Sequence, residues 1–108
     1  QLAKDASTVY GAEAAYLIIL DSYDKGEFEA VETKVYAFSD AGTGQMYWLA
    51  KSFIVLGDSF VERGEYEQAK ATFESVRDGY TPSGNDDDVL DNVNIRLKKL
   101  AELMAEEI

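Results

Sequence analysis

The chain contains no histidine, no cysteine and a single proline, Pro82. Without imidazole or thiol there is no histidine base, no thiolate nucleophile, no disulfide and no zinc site built on either ligand. So little proline, with glycines that punctuate periodic segments, favours helices over a turn-rich sandwich. No apolar run approaches the ~18–20 residues of a membrane span; the longest cluster is AAYLIIL, residues 14–20. Basic residues are scarce, ten against twenty-one acidic, for a formal net charge of −11. Phosphate backbones and anionic lipid surfaces attract Lys and Arg, so neither nucleic acid nor membrane is an expected partner. The acidity reads first as a device for solubility. A phosphate-cradling loop is also missing, because GTG at 42–44 lacks a following Lys-Ser/Thr and a preceding strand. Ser22 and Ser59 have no recognisable base and read as small polar residues on helix faces. A pair of carboxylates could hydrolyse glycosides only in a cleft that raises one pKa, which sequence does not display. The expectation is a protein that is not an enzyme and uses no cofactor or metal.

What is present is a 46% apolar share in 108 residues, enough for one domain with a real core. Within it the chain repeats itself. GEFEAVETKVYAF, residues 26–38, aligns without a gap on GEYEQAKATFESV, residues 64–76. Gly26 matches Gly64, Phe28 matches Tyr66, Val31 matches Ala69, Val35 matches Phe73 and Phe38 matches Val76. One inserted residue extends the match backwards, laying YLIILDSYDK (16–25) over FIVLGDSFVE (53–62), with Asp-Ser-aromatic shared. Tyr16, Ile19 and Tyr23 then match Phe53, Leu56 and Phe60, on one face of a 3.6-period helix. Each unit reads as helix, short glycine turn, helix. Gly26 and Gly64 stand where a first helix ends and a left-handed residue is wanted.

The second unit resembles a tetratricopeptide repeat (TPR). Phe53, Leu56-Gly57, Phe60, Gly64, Tyr66, Ala69, Phe73 and Pro82 carry the resemblance. The first unit is a degenerate copy: Leu20 stands for the close-packing glycine, the turn is one residue shorter and no proline closes it. The resemblance implies an all-α fold of two antiparallel helix hairpins, residues 10–40 and 44–82, in a right-handed superhelix. Residues 85–108 read as a fifth, capping helix, with Val89/Leu90, Val93, Leu97, Leu100 and Leu103/Met104 at steps of three and four. Asp86, Asp87 and Asp88 fall at its start, where the helix dipole welcomes negative charge; their spacing does not fit a calcium loop. Arg96, Lys98 and Lys99 read as a solvated basic face. Met46, Tyr47 and Trp48, at the start of the third helix, read as packing residues before an interface hot spot.

In TPR stacks the first helix of each unit lines a concave groove. Carried over, that groove takes Leu17, Asp21, Asp24 and Lys25 from unit one. Unit two adds Lys51, Ile54, Asp58, Val61 and Glu62. Asp21 and Asp58 stand at matching positions, so the groove favours a basic or mixed apolar peptide over one held by its carboxylate. The implied function is a non-catalytic scaffold that binds a protein or peptide. The alternative is a structural end-cap or self-association module of a longer solenoid, which pairs as a homodimer or packs on upstream repeats. GAEAAYLIIL and QMYWLAKSFIVLGDSF are similar to repeats of bacterial envelope proteins, which implies a periplasmic or envelope setting. Opening at Gln1 without Met, the sequence reads as a piece of a longer or processed chain.

Overall fold

The computed structural model describes residues 8–84 and 87–106; Asp86, expected at the start of the last helix, lies outside them. Among the described residues every regular element is an α-helix: α1 Val9–Asp24, α2 Phe28–Asp40, α3 Met46–Glu62, α4 Tyr66–Gly79 and α5 Val89–Glu106. None of these helices is long and apolar enough to cross a membrane. Helix α1 packs on α2 and α3, α3 on α2 and α4, and α5 on α4 and α3. The backbones of α1 and α5 do not come into contact.

The apolar positions predicted from the repeat form the core. Ile19, Val31, Val35 and Phe38 are buried from the first hairpin; Leu56, Phe60, Ala69, Phe73 and Val76 from the second; Val89, Val93 and Leu100 from α5. Trp48 and Tyr47 pack at the edge of this core, Trp48 with its ring centroid 5.4 Å from that of Tyr16. Met46 is exposed.

Both hairpin turns are built alike. The Gly26 N–H donates to Tyr23 O and the Glu27 N–H to Ser22 O, while Gly64 donates to Val61 O and Glu65 to Phe60 O. This is the Schellman arrangement, in which a left-handed residue lets the last carbonyls of a helix find donors. Gly26 and Gly64 have φ of 77° and 74°. Nothing lies near the position of a Cβ at Gly64, so a side chain there meets backbone strain alone. Gly64→Val is therefore expected to lower stability by about 1–2 kcal/mol, since a β-branched residue resists positive φ. The check is a denaturant midpoint, and an unchanged midpoint would refute it.

The identical turns correct the sequence alignment. Three residues separate the helices in each hairpin, so the first turn is not shorter than the second. Every turn hydrogen bond in one hairpin has its counterpart 38 residues on. Because an uninterrupted α-helix absorbs no extra residue, that step holds along the whole of α1 and α3. Ala12 then falls on Ala50, Leu17 on Val55, Ile19 on Gly57 and Asp21 on Ser59. The residue in the place of Gly57 is Ile19, not Leu20. The shared Asp-Ser-aromatic triplet is out of step by one, so Asp21 and Asp58 are not equivalent. Within α1 and α3 the acids that do recur in register are Asp24 and Glu62.

Candidate protein-binding face

Helix α5 lies along α3 in the same direction. Asp88, just before α5, accepts from the Tyr47 hydroxyl at 2.9 Å and from Lys51 Nζ at 3.1 Å. Two turns further along, Arg96 Nε donates to Asp58 Oδ1 at 2.8 Å. Arg96 is thus an ion-pair partner across the interface, not part of a solvated basic face. Burial pushes the Asp58 carboxyl above its ordinary 3.8, against the opposing pull of the Arg96 guanidinium. For Asp88 the balance falls the other way: burial is outweighed by Lys51 and Tyr47, and the carboxyl is held below its usual range.

Its neighbour Asp87 ties the preceding loop to α5. Its carboxylate accepts from the Tyr80 hydroxyl, from the Ser83 N–H at 2.9 Å and from the Val89 N–H at 3.0 Å. Burial alone would raise its pKa, but these donors lower it to about 2. Tyr80, half-buried beside that charge, is pushed up to about 12. Asp87 and Asp88 thus begin α5 with specific hydrogen bonds as well as a favourable dipole.

The predicted groove residues consequently divide. Ile54 is 4% exposed and belongs to the core, because α3 is flanked on both sides; it has no surface to offer a partner. Lys51 and Asp58 are engaged by α5. Leu17, Asp21, Asp24 and Lys25 are exposed on α1, with Asp21 and Lys25 paired at 2.9 Å. Glu62 is exposed and Val61 half-buried. Near them the Tyr23 hydroxyl is raised by burial and then by the Asp58 and Glu62 carboxylates, against an opposing pull from the Arg96 guanidinium.

Two of the predicted residues, Asp58 and Val61, do share a cavity. It is an open pocket of about 310 Å³ whose walls include Phe73, Ile95, Lys99 and Leu103. Ile95 is 65% exposed and Lys99 has no ion pair or hydrogen bond among the described residues. The sequence reading missed the α5 wall. Its signal was Ile95 itself, an apolar residue off the Val89–Val93–Leu97–Leu100 stripe and beside cations. A second pocket of about 320 Å³, lined by Met46, Leu49, Phe53, Val76 and Tyr80, lies between α3 and α4. Ser22 and Ser59 are both buried and bonded, Ser22 accepting from Lys34 Nζ at 2.6 Å and Ser59 donating to the Phe28 carbonyl at 3.1 Å. They are interior polar links, one to a lysine of α2 and one to its backbone. Among the described residues no cluster of acids could hold a metal ion. Compared with family models, with curated proteins and with solved structures, the chain matches none.

Proposed function

We propose that this chain is a non-catalytic protein-interaction scaffold of the TPR kind, a right-handed stack of helix hairpins that receives a protein or peptide segment. The observation that carries this reading is the open α3–α5 pocket, apolar through Val61, Phe73, Ile95 and Leu103 and edged by Lys99. A large exposed apolar side chain at the lip of a concave apolar site is the arrangement expected of an anchor seat. Asp58 is neutralised by Arg96 and Asp21 by Lys25, so acidity is a weaker determinant of the ligand than the sequence implies. A mixed apolar peptide is the better candidate, with an aliphatic or aromatic side chain entering the pocket. The resemblance to envelope repeats suggests a periplasmic or envelope setting. The alternative of a structural end-cap draws support from α5, which covers α3 and α4.

An array of short peptides with single aliphatic or aromatic anchors tests the reading. Binders are expected, and Ile95→Glu should weaken them about tenfold or more, the scale of losing a buried anchor. Glu67→Lys on α4 should leave them unchanged. Because Ile95 is exposed, its substitution should not alter helicity. An array without binders, or binders indifferent to Ile95→Glu, would overturn the proposal.

A further inference from the structure

Four of the seven large hydrophobics that stand exposed among the described residues belong to α1: Val9, Tyr10, Leu17 and Ile18. Leu17 is 52% and Ile18 45% exposed, yet their counterparts 38 residues on, Val55 and Leu56, are 5% and 1% exposed. The difference is one of surroundings and not of residue type. On α3 the stripe Trp48, Ser52, Val55, Ser59 faces the preceding hairpin. Trp48 stacks near Tyr16 of α1, Ser59 donates to the Phe28 carbonyl of α2, and Arg63 Nη1 reaches Glu32 Oε1 of α2 at 2.8 Å. The same stripe on α1 is Tyr10, Ala14, Leu17, Asp21, followed by Lys25. An aromatic stands for an aromatic, an aliphatic for an aliphatic and a cation for a cation. Lys25 is held only by an exposed pair with Asp21, so it is available to a carboxylate approaching from outside.

We propose that this face of α1 is the seat of one further helical hairpin built like α1–α2 and joined ahead of α1 at the same 38-residue step. The occupant follows from what covers the matching face of α3: a hairpin like α1–α2 that offers an aromatic to position 10, a carboxylate to Lys25 and, because Asp21 accepts where Ser59 donates, a hydrogen-bond donor near position 21. A second copy of this chain is the poorer fit. The surface of a copy equivalent to the one α1–α2 turn towards α3 belongs to α3–α4, and α5 already occupies it. The inference concerns α1 alone and does not rest on the α3–α5 pocket.

The test duplicates residues 8–45 in tandem, giving a chain that runs 1–45 and continues with 8–108, with Asp21→Ser in the second copy so that the Phe28 carbonyl of the added hairpin meets a donor as it does at Ser59. The added hairpin and its link stand to the original α1 as α1–α2 and their link stand to α3. The longer chain is expected to unfold in one transition with a higher urea midpoint and a larger m-value, because the added surface is buried cooperatively. Leu17→Asp in the original α1 should leave the midpoint of the present chain unchanged, as the residue is exposed there. In the duplicated chain the same substitution should lower the midpoint clearly and split the transition. Separate melting of the added hairpin, or an equal effect of Leu17→Asp in both chains, would overturn the proposal. So would a concentration-dependent dimer of the present chain that Leu17→Asp abolishes, since it would make a second copy the occupant.

Discussion

Truncating Phe73 to alanine is expected to cost about 3–5 kcal/mol, the range for removing a fully buried aromatic ring. Phe73 is 0% exposed and its ring lies against Gly57 of α3. The close approach is possible because residue 57 has no side chain. A Cβ built on Gly57 would stand 2.3 Å from Phe73 Cε1 and 2.6 Å from Cζ, inside any real contact distance. Gly57→Ala should therefore destabilise by about 1–3 kcal/mol, although alanine is worth about 1 kcal/mol more than glycine in a helix. The first hairpin solves the same packing problem with the bulk reversed. There Ile19 takes the place of Gly57 and Val35 the place of Phe73, and both are buried. A smaller residue at 73 should accordingly relieve the strain of a larger one at 57. Combining Gly57→Ala with Phe73→Val is expected to cost less than the sum of the two single changes, with a coupling of about 0.5–3 kcal/mol. Urea midpoints of the four chains supply the cycle. Strict additivity would show that the two residues do not share one packing site.

The helices, their order and most of the core were legible in the sequence, because amphipathic spacing and two glycine turns specify a hairpin locally. The register of the first helices was not. Asp-Ser-aromatic at 21–23 and 58–60 is a chemical coincidence that invited an inserted residue, whereas the turn hydrogen bonds admit none. A one-residue error in a helix rotates every side chain by about 100°. That rotation moved Asp21 from the position of Ser59, on the face that α3 turns to the first hairpin, to the position of the groove residue Asp58. Ile54 was misread for a different reason. Its burial depends on α5, whose position against α3 is decided by Asp88, Arg96 and the packing of Val89 and Val93, none of which is written near residue 54. The same long-range placement hid the role of Arg96 within RLKKL.

The other large effect is expected at that arginine. Arg96→Met keeps an unbranched apolar stem but leaves the Asp58 carboxylate desolvated and beside Glu62, so stability at neutral pH should fall by about 1–3 kcal/mol. The figure sits below that of a fully buried pair because the two side chains are 24% and 33% exposed. The pH dependence identifies the cause. Burial already raises the pKa of Asp58 above its ordinary 3.8 even with Arg96 present, so the folded state holds this proton more tightly than the unfolded chain. For a carboxyl raised in this way, stability falls as pH climbs through the folded pKa and recovers as pH drops towards 3.8. Without the guanidinium the carboxyl should rise further, and the variant should lose more on going from acid to neutral pH than the parent does. The gap between them should therefore be small near pH 4 and widest at neutral pH, when unfolding is followed across that range. Asp58→Asn added to Arg96→Met should recover part of the loss at neutral pH, since it removes the stranded charge. Arg77→Met, which breaks the exposed pair with Asp78, should change stability little at any of these pH values. A gap for Arg96→Met that stays constant with pH would mean that the arginine contributes through its stem alone and that Asp58 needs no partner.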